Sequence, residues 1–157
     1  MRIMFVSGGS GGHIVPLLSV EQALRALKPD VETHFVCTDK TSDSEMLQRA
    51  GRSFTALPKG IFARYAAARK ILRTWRPDAL FSKGGAVSVP VCFAAKRLRI
   101  PIVIHESDAV MGRANRIVSR WAKVVCLGFE EATGGACPER SRRDDPWSFP
   151  RIPAFGP

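Results

Sequence analysis

The fold class this sequence predicts is α/β, a doubly wound, Rossmann-like parallel sheet with helices on both faces. Two observations carry that prediction. Short apolar runs without polar alternation recur along the chain, the pattern of strands buried on both faces, and each is followed by a stretch of helical period. Two glycine-rich turns, Gly8-Gly9-Ser10-Gly11-Gly12-His13 and Lys83-Gly84-Gly85-Ala86, each follow such a run and open a helical pattern. The strand order expected from them is 3-2-1-4-5-6.

The elements follow in order. Ile3 to Val6 reads as the first strand; its apolar run stops at Ser7-Gly8, too short for a signal-peptide core. From Pro16, the residues Leu17, Val20, Leu24 and Leu27 share one helical face, with Pro16 in the first turn and Pro29 beyond the end. Val31 to Cys37 is the second strand. Ser42-Asp43-Ser44-Glu45 has capping-box spacing and opens a short helix that stops at Gly51. Ser53 to Leu57 is a weakly marked third strand. The next helix, Ile61 to Trp75, carries Tyr65, Ala68, Leu72 and Trp75 on one stripe and Arg69, Arg73 and Arg76 on another. Ala79 to Ser82 is the fourth strand, and an apolar helix runs from the second glycine turn to Leu98. Pro101 to His105 forms the fifth strand, Gly112 to Ala122 a helix and Lys123 to Leu127 the sixth strand.

The 157 residues fit one domain with at most a small appendage. A composition of 45% hydrophobic and 24% charged residues, with mean hydropathy −0.03, excludes pervasive disorder and a polytopic membrane protein. Twenty-four Lys and Arg against 14 Asp and Glu give +10 and a pI near 10.2. That excess favours polyanionic partners such as nucleic acid, an anionic membrane or a phosphorylated substrate. A nucleic-acid module is disfavoured because no stacking-aromatic pattern interleaves the basic residues. No apolar run approaches the ~20 residues needed to span a bilayer, so membrane contact is expected to be peripheral. Cys37, Cys92, Cys126 and Cys137 form no C-x-x-C pair, so reduced thiols are expected rather than zinc or a redox dithiol. From Thr133 onward periodicity is lost. Five of the chain's 11 prolines and the run Glu139 to Asp145 lie there, and residues 131–157 read as an irregular tail appended to a domain of residues 1–130.

Ligands of open α/β sheets bind beyond the carboxyl ends of the strands where the strand order reverses. On the expected order the two glycine turns flank that point, and two helix starts with unpaired N–H groups would cradle a phosphate or diphosphate. The spacing gives neither G-x-G-x-x-G nor a P-loop, so a nucleotidase is disfavoured. Asp39 could serve a cofactor ribose or be a solvated turn carboxylate, and a dinucleotide-binding domain stays open as an alternative. His34, in mid-strand, reads as structural. No cluster of metal ligands is visible, and neither metal nor cofactor is expected.

The motifs carry a resemblance. Gly8 to Pro16, Ser82-Lys83-Gly84-Gly85-Ala86-Val87-Ser88-Val89-Pro90, Ile104-His105-Glu106-Ser107-Asp108 and Gly112-Arg113-Ala114-Asn115-Arg116 appear in this order. From about Arg2 to Phe129 the chain resembles the N-terminal, acceptor-binding half of the MurG family of GT-B glycosyltransferases. That family transfers N-acetylglucosamine from its UDP donor to a lipid-linked muramyl-pentapeptide (lipid I) in peptidoglycan synthesis. The resemblance implies that Gly9, Ser10, Gly11, Gly12, His13, Gly84, Gly85, Ser88 and Asp108 bind the acceptor diphosphate and sugar. It implies donor contacts for Ser10, Gly12 and Asn115, with His13 and Glu106 as the catalytic pair. Imidazole titrates near neutral pH and suits a base at an attacking hydroxyl, although His13 could instead only cap its helix. His105 and Glu106 end the fifth strand, where a side chain would face the cleft. Three departures stand out: Ser10 where the family has threonine, Ala86 where a tyrosine is common, and Ser107-Asp108 in place of Gln-Asn.

The resemblance also implies docking on the cytoplasmic face of an anionic membrane. The basic, amphipathic stretch holding Ile61, Phe62, Tyr65, Arg69, Arg73 and Trp75 is the candidate, though a surface helix packed on the sheet is the plainer reading. The family's second, donor-binding domain is not encoded in these residues. A truncated gene product or a split enzyme with a separate donor-domain chain is therefore expected, inactive by itself. A non-catalytic acceptor-binding or membrane-binding subunit is the other class of function left open.

Overall fold

The structure is a computed structural model that describes residues 1–8 and 11–129, with residues 11–13 described by their backbone alone. Its elements alternate along the chain: β1 (Arg2–Val6), α1 (Gly11–Leu27), β2 (Glu32–Thr38), α2 (Thr41–Arg49), β3 (Phe54–Leu57) and α3 (Ile61–Trp75). They continue with β4 (Ala79–Ser82), α4 (Ser88–Arg97), β5 (Ile102–Glu106), α5 (Arg113–Val118) and β6 (Val124–Leu127). All strand pairs are parallel, and the sheet order is β3-β2-β1-β4-β5-β6, as expected from the sequence. β1 and β4 are thus neighbours whose connections depart in opposite directions, which opens a crevice at their carboxyl ends.

Each apolar run divides between two cores because successive side chains point to opposite faces. Met4, Val6, Leu80, Ile102 and Ile104 pack beneath α3, α4 and α5 with Leu72, Val91 and Val118. Phe5, Phe35 and Cys37 face the other way, onto Ile14 and Leu17 of α1 and Leu47 of α2. The ring of Phe5 stacks on Phe35 at 5.1 Å between centroids and lies 5.6 Å from Phe81.

Two helix starts differ from the sequence reading. α1 begins at Gly11, so Pro16 stands inside the helix rather than in its first turn. Lacking an N–H, Pro16 leaves the Gly12 carbonyl without its usual helical donor. α2 starts at Thr41, with Lys40 at the N-cap position and no side-chain cap, so the Ser42–Glu45 spacing is not used as a capping box. Instead Asp43 is buried, and Thr38 Oγ1 donates to its carboxylate at 2.5 Å. α5 is shorter than the helix read from Gly112 to Ala122.

One buried ionic network escapes any periodicity argument. Glu21 of α1 is fully buried and accepts hydrogen bonds from Arg25, from Thr33 Oγ1 at 2.9 Å and from Arg52 Nε at 2.9 Å. Burial acts against the charged carboxylate, but these partners outweigh it and hold its pKa below the usual value. The network ties α1 to the start of β2 and to the segment entering β3.

The residues expected to contact a membrane divide between two faces of α3. Ala68 and Leu72 are buried, while Tyr65 and Trp75 are half-buried and packed on the core. The Tyr65 ring lies 5.6 Å from Phe93, and Trp75 lies 5.6 Å from His34. Their stripe covers the sheet because a helix lying on a sheet spends its apolar face there. Ile61 and Phe62, at 60% and 86% exposure, are the large apolar residues α3 presents to solvent. Arg69 and Arg73 are exposed and line a shallow groove of about 450 Å³ on the same helix. Among the described residues no helix is long and apolar enough to cross a membrane.

Candidate functional site

The two glycine turns meet. Gly84 and Gly85 have φ of +97° and +86°, a region that side chains strongly disfavour. A Cβ on Gly85 would stand 2.6 Å from the carbonyl oxygen of Gly8, so the second turn packs directly against the first. Gly8 is itself confined, since a Cβ there would meet the Asp43 carboxylate and the Thr38 amide at 2.8 Å. The first turn leads into α1 at Gly11, placing Gly11, Gly12 and His13 in its opening residues. Gly9 and Ser10 lie outside the described residues, as does the side chain of His13.

The second turn is shaped from within. Ser82 Oγ accepts from the Gly84 amide at 3.2 Å, and Ser88 Oγ donates to the Gly84 carbonyl at 2.5 Å. The two serine oxygens lie 2.9 Å apart, and both residues are fully buried. The Ser88 hydroxyl, expected to bind substrate, is engaged inside the turn, where it fixes the turn's shape.

A cavity of about 440 Å³ opens beside this turn, lined among others by Lys83, Gly84, Gly85, Glu106, Asp108 and Asn115. Ala86 also lines it and contributes only a methyl group. Glu106, 4% exposed, organises the opposite wall. Its Oε1 accepts the Asp108 amide at 3.1 Å; its Oε2 accepts the Gly112 amide at 2.9 Å and Asn115 Nδ2 at 3.0 Å. Burial opposes its ionisation, yet the Gly112 amide, the Asn115 side chain and the amides of Asp108 and Ser107 keep its pKa below the usual carboxylate range. At neutral pH it is an ion held by neutral donors. That suits it to fixing the Ser107–Gly112 loop and to placing charge, and makes it a weak proton acceptor.

Asn115 also donates to the His105 carbonyl at 3.2 Å, while its buried Oδ1 has no hydrogen-bond partner among the described residues and lies against Gly84. Strand alternation sends His105 and Glu106, at the end of β5, to opposite sides of the sheet. His105 points to the α1 side, its ring stacked with Phe81 at 6.4 Å. Burial and the Lys83 charge lower its pKa, against a smaller opposing effect of Glu106, so it is neutral at pH 7.

The sequence reading missed Lys83 as anything beyond part of the turn, although its position between a buried strand and two glycines was a usable signal. It is 6% exposed, with Nζ donating to Ser107 Oγ at 2.6 Å. Asp39 stands apart from the cleft contacts, its carboxylate 3.8 Å from Lys59 and 3.9 Å from Arg64, as a turn carboxylate would. His34 Nε2 lies 2.9 Å from Thr55 Oγ1 and the ring packs beside Trp75, in keeping with a structural role. Burial pushes the thiols of Cys37 and Cys92 up, to about 11 and about 12, which leaves both inert. Cys137 lies outside the described residues. Among the described residues no group of three or more His, Cys, Asp and Glu side chains could hold a metal ion.

Residues 3–127 match the N-terminal domain of glycosyltransferase family 28. The chain belongs to that family. Over 143 residues it is 40% identical to the UDP-N-acetylglucosamine-N-acetylmuramyl-(pentapeptide) pyrophosphoryl-undecaprenol N-acetylglucosamine transferase of Treponema pallidum, covering 81% of this chain and 37% of that protein. Among solved structures it is similar to MurG of Acinetobacter baumannii, with a TM-score of 0.75, 27% identity and coverage of 83% and 42% of the two chains. A UDP-GlcNAc 2-epimerase from Methanocaldococcus jannaschii shares the fold at a TM-score of 0.67 and 17% identity, over 84% of this chain and 40% of that one. The family 28 chain described here spans about two fifths of the length of these relatives.

Proposed function

We propose that this chain is the acceptor-binding half of a family 28 hexosyltransferase that moves N-acetylglucosamine from UDP-N-acetylglucosamine to lipid I in peptidoglycan synthesis. The observation that supports the reading is the packing of Gly85 on the Gly8 carbonyl, at the carboxyl ends of the neighbouring strands β1 and β4 where the strand order reverses. Backbone N–H groups at the starts of α1 and α4 would hold the acceptor diphosphate there. His13, in the opening turn of α1, would take the proton of the acceptor hydroxyl as that oxygen attacks the anomeric carbon. The UDP leaves from the opposite side, and the configuration inverts. Glu106 acts by fixing the loop that carries Asp108 and the Asn115 side chain, which face acceptor and donor. A donor-binding domain supplies most of the UDP-sugar contacts, in the same polypeptide or in a partner chain. Residues 1–157 alone are expected to bind acceptor without measurable transfer.

Docking on the inner face of the cell membrane completes the proposal. Ile61 and Phe62 would enter the interface while Arg69 and Arg73 meet anionic headgroups.

The test is equilibrium binding of a short-chain lipid I analogue, with and without its diphosphate. Binding that requires the diphosphate, and that G85A lowers at least tenfold, is the expected result; equal binding of both analogues overturns the reading. In a two-domain enzyme, H13A is expected to reduce kcat about 10²-fold or more while acceptor affinity is retained, as for loss of a general base.

A further inference from the structure

Lys83 continues the β4 ladder by one residue, its amide donating to the Val6 carbonyl at 3.1 Å. Alternation therefore sends its side chain to the face of Phe81, the α1 side of the sheet, where the first glycine turn stands. There the ammonium meets Ser107, at the end of β5, with Nζ 2.6 Å from the hydroxyl oxygen. A lysine withdrawn from water to 6% exposure ordinarily has a carboxylate partner, because an uncompensated buried charge is costly. Among the described residues Lys83 forms no ion pair.

Two carboxylates line the same cavity, and neither pairs with it. Glu106 projects to the other face of the sheet and is satisfied by the N–H groups of Asp108, Gly112 and Asn115. Asp108 is exposed at the rim, as is Arg113, where water screens both. Among the described residues the buried ammonium thus has one neutral side-chain partner, two further N–H donors and a cavity beside it.

We propose that Lys83 is an anion-binding residue of the cleft: its ammonium donates to a phosphoryl oxygen of the acceptor diphosphate, bound in the cavity beside Gly84 and Gly85. Ser107 acts as a positioning residue that aims the ammonium. The proposal rests on the acceptor reading above and adds to it the fixed charge that backbone amides alone lack.

The experiment titrates the full chain and its K83M and S107A variants with inorganic pyrophosphate, the short-chain lipid I analogue and UDP. K83M is expected to weaken pyrophosphate and the analogue tenfold or more, the scale of a lost charge-assisted hydrogen bond, and S107A about threefold. Wild-type binding of the analogue with unchanged affinity in K83M overturns the role of Lys83 while the acceptor reading survives. No binding of either probe by the wild type overturns both. A K83M loss confined to UDP overturns the assignment to the acceptor. Should K83M fail to fold, 15N-lysine spectra of the wild type decide: one Nζ resonance shifting on saturation with pyrophosphate is expected, and no shift overturns the proposal.

Discussion

Two fully or nearly buried glutamates anchor opposite regions of this domain, and their partners differ in kind. Glu21 is closed off by two guanidinium groups and a threonine. Glu106 is held by two backbone amides and an asparagine, all neutral, with a lysine in the same cleft that it does not touch. A carboxylate cancelled by cations makes a strut, with nothing left over to recruit a ligand. One satisfied by amides leaves a nearby cation uncancelled, and so leaves the cleft with chemistry to offer. Burial alone does not separate a structural ion from a functional one; the charge of its partners does.

The largest effect that would break this contrast is at Glu21. Glu21→Ala leaves Arg25 and Arg52 facing each other without their shared anion and is expected to cost about 3 kcal/mol, read from urea unfolding. Lipid I analogue affinity of the folded fraction should be unaltered; a binding defect would mean that Glu21 is more than a strut.

A smaller effect separates the two carboxylates by pH. Both have folded-state pKa values below that of an ordinary glutamate. Each therefore contributes stability that is fully present above its unfolded pKa and is lost as pH falls through the folded one. Unfolding midpoints followed from pH 7 downward should fall below about pH 4.5 in the wild type. E21Q and E106Q should each flatten that acid limb. E106Q should also loosen the Ser107–Gly112 loop, seen as faster amide exchange at Asp108 and Gly112, whereas E21Q should not.

The smallest effect on stability lies on α3. Phe62→Ser at a site 86% exposed should change unfolding free energy by no more than about 0.5 kcal/mol. Binding to vesicles containing anionic lipid should nonetheless drop several-fold, while Tyr65→Ser should destabilise the fold because its ring packs on Phe93. Equal vesicle binding by F62S and wild type would remove the docking role.

The strand order and the meeting of the glycine turns were legible in the sequence. Apolar runs without alternation, each followed by helical period, admit few topologies, and glycine at a turn is a local requirement of the backbone. The helix starts were less legible. Pro16 and Ser42–Glu45 carry genuine local preferences, but the chain before each was already committed, by the glycine turn in one case and by burial of Asp43 against Thr38 in the other. The motif also drew attention to Ser88, whose hydroxyl turned inward once Ser82 and the Gly84 carbonyl were beside it.

By itself, the sequence determined the layered sheet, the two helix-opening turns and the family, because these depend on periodicity and on residue types at fixed local spacing. Tertiary structure alone decided which side of the sheet each end-of-strand residue serves. It placed Glu106 toward α5, and His105 and Lys83 toward α1, and it joined Lys83 to Ser107 across 24 residues of chain. Burial and charge pairing are properties of neighbours distant in sequence, so no window along the chain contains them.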